Sequence, residues 1–267
     1  MSLYKYRAVG NLDSGDLDSH LFALLSKGEI YFSNPKEFND PFDCLFSFHK
    51  NVSNIEVIKH LRNILIPEKD IQYLLKNNGM EKLKDKIIEK NRNADLLRIF
   101  CLTNNCLSTL LWSHYSQNHY GICIGFKTYD YDNTEHLYIT NNQIDVNMPE
   151  YPKNLVPVVK VNYSSERPDA FSIILKKSDD LKKVFLTKDK CWEYEEERRI
   201  IVPSKFIKRN PLHINRSQIE EIIFGLRTPK VFEDKIISIV SDISDIKIYK
   251  IKIKNGSYKL FKQKYTA

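Results

Sequence analysis

Glycine is scarce in this chain, with 8 in 267 residues, and neither G-x-G-x-x-G nor G-x-x-x-x-G-K-[ST] occurs. The glycine-rich phosphate cradle of Rossmann and P-loop folds is therefore not encoded. C-x-x-C is also missing, and the five cysteines (Cys44, Cys101, Cys106, Cys123 and Cys191) are odd in number. That excludes the usual disulfide framework and the four-cysteine zinc site, and leaves buried free thiols as the simplest account. Seven histidines occur without H-E-x-x-H, and no G-x-S-x-G nucleophile elbow is present. No metal is expected. No apolar run approaches the ~20 residues that span a bilayer, and the first ten residues are polar. The expectation is a cytoplasmic protein with no membrane contact.

What is present is a chain able to build a core. Hydrophobic residues make up 42%, with 15 Tyr and 14 Phe. The net charge of +7, from 41 basic and 34 acidic residues, permits an anionic partner such as a nucleotide or a nucleic acid without requiring one. It reads most simply as a lysine-rich solvated surface.

Periodicity predicts a strand over Leu3–Arg7. A helix capped by Asp16 or Asp18 then carries Leu21, Leu24 and Leu25 and ends at Gly28, and a strand follows over Glu29–Ser33. From about 52 to 100 apolar residues recur at spacings of three and four, broken at Pro67 and Gly79, which predicts a helical insertion. Further strands are predicted over Ile122–Phe126, Val158–Tyr163, Arg199–Val202 and Glu221–Phe224. Helices are predicted within Thr103–Asn118, Ser172–Leu186 and Val231–Val240. Asp130–Glu150 has the polarity of a surface loop, and Asn255-Gly256 predicts a C-terminal hairpin with Lys250, Lys252 and Lys254 outward and Ile251 and Ile253 inward. The predicted fold is a single α+β domain over 1–267, with a mixed or antiparallel sheet and the helical insertion at about 52–100.

Several short motifs occur in order: Leu3-Tyr4-Lys5-Tyr6-Arg7, Phe38-Asn39-Asp40-Pro41-Phe42-Asp43, Leu111-Trp112-Ser113-His114-Tyr115 with Gly121-Ile122-Cys123-Ile124-Gly125-Phe126, Trp192-Glu193-Tyr194-Glu195-Glu196-Glu197-Arg198-Arg199-Ile200, and Ile222-Ile223-Phe224-Gly225. Together they resemble a bacterial family catalogued as domain of unknown function 2971, a name that carries no activity. The order Arg7, then Phe32-Ser33, then Glu195-Glu196-Glu197 is similar in plan to ADP-ribosyltransferases, which place an arginine, a serine-bearing strand and a Glu-x-Glu motif in that sequence. Here Tyr31-Phe32-Ser33 stands where a Ser-Thr-Ser triplet is usual. The resemblance implies an ADP-ribosyltransferase-like fold and a site with NAD as co-substrate. In it, Arg7 holds the pyrophosphate, Tyr31 and Ser33 flank the nicotinamide ribose, Glu197 stabilises charge at the anomeric carbon, and Glu195 positions the acceptor.

The residues themselves leave alternatives open. On a strand, Glu195, Glu197 and Arg199 share a face, and either a salt-bridged edge or a ligand site fits. Trp192 is expected to be a buried anchor beside them. Asn39 and Asp40 fit a capping turn or a loop at a site mouth. His114 and Tyr115 sit on a predicted helix as ring or acceptor contacts, and Tyr6 and Arg199 are further candidates. The leading functional expectation is an NAD-dependent ADP-ribosyltransferase-like transferase or NAD glycohydrolase, in a bacterial phage-defence or toxin–antitoxin setting. Its partner would be a small nucleotide, and the acceptor, protein or nucleic acid, is open. The alternatives are a nucleic-acid-acting protein and a non-enzymatic interaction or sensor protein whose charged helices dock a partner.

Overall fold

The structure is a computed structural model describing residues 2–45, 48–49, 53–63, 65–77, 79–93, 97–140, 154–168, 171–172, 183–204, 207 and 210–266. The chain forms two compact units. The first comprises Met1–Glu37, Leu97–Val161 and Cys191–Ala267, and the second Phe38–Leu96 and Asn162–Lys190. The architecture is mixed α+β, as the sequence predicts.

The first unit is built on an eight-stranded sheet. Its strands are β1 (Ser2–Arg7), β2 (Leu97–Thr103), β3 (Ile122–Lys127), β4 (Val159–Lys160), β5 (Glu197–Pro203), β6 (Ile219–Phe224), β7 (Lys247–Ile253) and β8 (Leu260–Lys264). They lie in the order β8-β7-β6-β3-β1-β2-β5-β4. Only β6 and β7 run parallel, and the other neighbours are antiparallel. Strand β1 pairs along its whole length with β3 but meets β2 at a single register pair, Tyr4 with Thr103. Below that junction the edge of β2 is taken by Ser33, whose N–H and C=O both bond to Ile99 at 2.9 Å.

Side-chain alternation divides this sheet into two faces. One face carries Leu3, Phe100, Leu102, Ile122, Ile124, Phe126, Ile200 and Val202 in one apolar core. It is covered by α1 (Ser19–Lys27), through Leu21, Leu24 and Leu25, and by the Lys230–Val240 helix, through Phe232, Ile236 and Val240. Asp18 caps α1 by accepting from the Leu21 N–H at 2.8 Å, and Gly28 ends it at φ 73°, where a left-handed residue without Cβ is favoured. The other face carries Tyr4, Tyr6, Cys123, Ile223 and Ile251, against Leu111 and Trp112 of the Thr109–Tyr115 helix. Trp112 is fully buried, donates its indole N–H to the Cys106 carbonyl at 2.9 Å, and meets Tyr6 edge-on at 5.0 Å.

In the second unit the helices Asn54–Asn63, Glu68–Lys76 and Gly79–Asn93 lie around Val57, Leu61, Ile71 and Met80. The expected helical insertion is thus helical up to Asn93, but its last residues, Leu97–Phe100, are the start of β2. Their β-branched and aromatic side chains pair with β5 and override the helical spacing.

Four further expectations are corrected. The Glu29–Ser33 strand shrinks to Glu29–Ile30, with Ser33 forming an isolated bridge. Of the loop expected over Asp130–Glu150, residues 141–150 lie outside the described residues, and the first part forms a hairpin, Tyr129–Tyr131 with Thr134–Tyr138, because Asp132 and Asn133 take the left-handed conformation that a tight turn needs. Trp192 is only half-buried, and the enclosed tryptophan is Trp112. Ile253 is 60% exposed and does not turn inward. Most of the expected helix Ser172–Leu186 lies outside the described residues. Among the described residues no helix is long and apolar enough to cross a membrane.

Trp112 should therefore be the stability anchor. Trp112→Ala is expected to cost roughly 3–5 kcal/mol, as large core truncations do, and Trp192→Ala a small fraction of that. Urea unfolding of the two variants measures the contrast, and equal losses would contradict this packing.

Candidate functional site

Strand β5 begins with a charged pair where a core strand would carry apolar residues. Glu197 pairs with Thr103 and Arg199 with Cys101 across β2, so both side chains leave the face shared by Tyr4 and Tyr6. There the two meet in a bidentate contact. Arg199 donates from Nε to Glu197 Oε1 at 2.8 Å and from Nη2 to Oε2 at 3.0 Å. The Arg199 side chain is 0% exposed and that of Glu197 6%. A planar guanidinium matches a carboxylate in this geometry, and fixing both groups on one strand removes most of the ordering cost. Removed from water, neither charge tolerates loss of its partner.

The chain enters β5 through a 3-10 helix, Lys190–Glu195. Glu196 then adopts φ 47°, a left-handed conformation unfavourable for a residue with a Cβ. Two contacts hold this corner: Thr103 Oγ1 donates to the Glu195 carbonyl at 2.5 Å, and Asn105 Nδ2 donates to Glu196 Oε1 at 3.0 Å. The corner turns Glu196 outward, while Glu195 on one side and Glu197 on the other are 4% and 5% exposed. Glu195 accepts the Tyr115 hydroxyl at 2.6 Å.

Two further groups border the carboxylates. The Cys101 thiol is pushed well above its usual range by burial and by the neighbouring Glu197. The Lys5 ammonium donates to the Cys101 carbonyl at 2.9 Å and lies 4.9 Å from the centre of the Phe100 ring. Burial pulls Lys5 below the usual lysine range, with Arg7 adding to the fall, while the Cys101, Glu197 and Glu195 charges oppose it. Lys5 is thus within electrostatic reach of both carboxylates. Sequence reasoning missed it. The signal available was a lysine between two tyrosines in a short N-terminal strand, a position that alternation sends to a covered face.

Arg7 does not join this cluster. It pairs with Ile122 across β3, so its side chain leaves the face of α1, opposite to Glu197. Burial lowers the Arg7 guanidinium, and the nearby Asp18 partly offsets this. The arginine beside Glu197 is Arg199. Ser33 lies opposite Ile99, on the face that carries Cys101 and Thr103. Tyr31 is 38% exposed, with its ring 5.6 Å from that of His20. Tyr115 reaches the Glu195 carboxylate, whereas His114 is exposed, with the Tyr115 and Tyr194 rings each 6.3 Å away. Tyr6 is buried and donates its hydroxyl to the Asn105 carbonyl at 2.8 Å, which makes it a brace for the corner. Asn39 and Asp40 belong to the second unit. There Asp40 is buried and accepts the Phe42 N–H at 2.9 Å, the capping turn, while Asn39 is exposed.

Removing one member of the buried pair should reveal its cost. Arg199→Ala is expected to destabilise the protein by about 3–5 kcal/mol, because it leaves the Glu197 carboxylate buried without its cation. The double variant Glu197→Leu/Arg199→Met should be closer to the parent than either single change. Chemical unfolding of the three variants tests this, and strictly additive losses would contradict a coupled pair.

Residues 111–200 match the model of a family described as protein of unknown function (DUF2971). The matched stretch starts in the Trp112 helix, ends in β5, and includes Tyr115, Glu195, Glu197 and Arg199. It supports kinship with that family. No curated protein and no solved structure matches the chain.

Proposed function

We propose that the Glu195–Glu197 corner acts on the glycosidic bond of NAD, as an ADP-ribosyltransferase-like transferase or an NAD glycohydrolase. The observation that carries this reading is a pair of buried carboxylates flanking one left-handed residue, each tied to a different partner: Glu195 to Tyr115 and Glu197 to Arg199. The chain order that resembles ADP-ribosyltransferases adds support, since Ser33 borders the same β2 strand along which Glu197 is paired.

The chemistry asks little beyond electrostatics. The bond between the anomeric carbon and the nicotinamide nitrogen breaks, and its electron pair leaves with nicotinamide. The ribosyl cation that develops is stabilised by a fixed anion nearby. The Arg199 cation beside it favours the charged form of Glu197. Glu195 with Tyr115 would receive the proton of the incoming water or acceptor hydroxyl. Arg199, not Arg7, is the arginine on the carboxylate side, because Arg7 faces α1.

The test is nicotinamide release from NAD by the purified chain, with Glu195→Gln and Glu197→Gln as variants that keep the shape of each side chain. Each is expected to lower turnover at least about 100-fold, while circular dichroism confirms folding. No release by the parent across water, peptide and nucleic-acid acceptors, or undiminished release by both variants, would contradict the reading.

A further inference from the structure

The C-terminal end of this chain is basic without any acidic residue. Residues 246–267 contain seven lysines (Lys247, Lys250, Lys252, Lys254, Lys259, Lys262 and Lys264) and no Asp or Glu. Removing those seven from the 41 basic residues leaves 34, equal to the 34 acidic residues of the chain. The hairpin of β7 and β8 thus carries a formal +7 by itself, and the rest of the chain sums to zero.

Two of these lysines are used within the fold. Lys250 donates to the buried Glu233 at 2.5 Å, and Lys262 to the buried Glu221 at 2.6 Å. Lys247, Lys252, Lys254, Lys259 and Lys264 are exposed and form no ion pair among the described residues. Near the turn, Lys252 lies opposite Phe261, and the Lys254 N–H bonds to the Lys259 carbonyl. Alternation puts Lys252, Lys254, Lys259 and Phe261 on one face of the ribbon. Phe261 is 42% exposed, and Tyr258 at the turn stands wholly in solvent.

Lysines on an edge strand discourage unwanted strand addition, but that role does not account for the whole pattern. Lys254 and Lys259 lie beyond the ends of β7 and β8, at the turn, and not on an edge strand. Facing lysines across a strand pair repel each other. Exposed aromatic rings beside them work against solubility. All three features are compensated by a polyanion that also offers flat apolar faces to stack on.

We propose that the end of the β7–β8 hairpin binds single-stranded nucleic acid, with Lys252, Lys254 and Lys259 at phosphates and Phe261 and Tyr258 stacking on bases. An anionic membrane fits less well. Ile253 and Phe261 leave opposite faces of the ribbon, so they cannot enter one lipid plane together. This inference is independent of the NAD reading, since none of these residues belongs to the Glu195–Glu197 corner.

The experiment is fluorescence anisotropy of labelled oligouridylate with the full chain over a salt series. Two variants are compared with the parent, Lys252→Gln/Lys254→Gln/Lys259→Gln and Tyr258→Ser/Phe261→Ser. Lys252, Lys254, Lys259 and Tyr258 are exposed and Phe261 is 42% exposed, so thermal melts check that both variants remain folded. The lysine variant is expected to bind at least about tenfold more weakly, and its log–log salt slope should fall by about 2, given ~0.7 for each phosphate contact on a single strand. The aromatic variant should bind roughly 5- to 100-fold more weakly with an unchanged slope. Nicotinamide release, where present, should be the same in all three proteins. Absence of oligouridylate binding by the parent would overturn the proposal. So would variants that bind like the parent, or lysine-dependent binding to phosphatidylserine vesicles alone.

Discussion

The polar face of the sheet depends on one constraint: a guanidinium and a carboxylate two residues apart on a strand have been taken out of water together. Arg199 is completely enclosed, and Glu197 meets its guanidinium with both carboxylate oxygens. Apolar residues would fill that space with less risk to stability, and a buried ion pair is weak evidence of a stabilising role. The proposed function would give the pair a role, that of a fixed carboxylate at this place. Neighbouring contacts hold the same corner. Thr103 and Asn105 pin the corner, Glu196 absorbs the left-handed turn, and Tyr115 holds the second carboxylate.

The sheet topology explains how such a cluster forms next to an ordinary core. One face is apolar throughout and covered by two helices, which supplies the cohesion. The junction of β1 with β2 is a single pair, and Ser33 takes up the edge of β2 at Ile99. The Lys5 side chain reaches the Cys101 carbonyl at this junction. A second charged cluster on the same face, Tyr4 with Glu221 and Lys262, is accommodated because Gly125 has no Cβ. A Cβ there would come 2.9 Å from that of Glu221.

Much of the framework was legible in the sequence because it rests on local rules. Asp18 and Gly28 mark the ends of α1, the Asn255-Gly256 turn marks the last hairpin, and alternation from Glu197 puts Arg199 on the same face. What was not legible depends on register between distant strands. Alternation shows that Leu3, Lys5 and Arg7 share a face, but only the pairing of Tyr4 with Thr103, and of Thr103 with Glu197, shows that this face is not that of Glu197. The contact of Tyr115 with Glu195 spans 80 positions and leaves no trace in local periodicity. Trp112 and Trp192 look alike in sequence, and they differ because the helix bearing Trp112 packs on the sheet while the 3-10 turn bearing Trp192 is half open to solvent.

The central claim is that the buried corner exists to present a fixed carboxylate to a nicotinamide ribose. A crystal of the chain soaked with a non-cleavable NAD analogue tests it most directly. The account expects a hydroxyl of the nicotinamide ribose at hydrogen-bond distance, about 3 Å, from Glu195 or Glu197, with the Arg199 pairing intact. An analogue bound elsewhere, or none bound at saturating concentration, would contradict it and leave the pair as a purely architectural feature of the sheet.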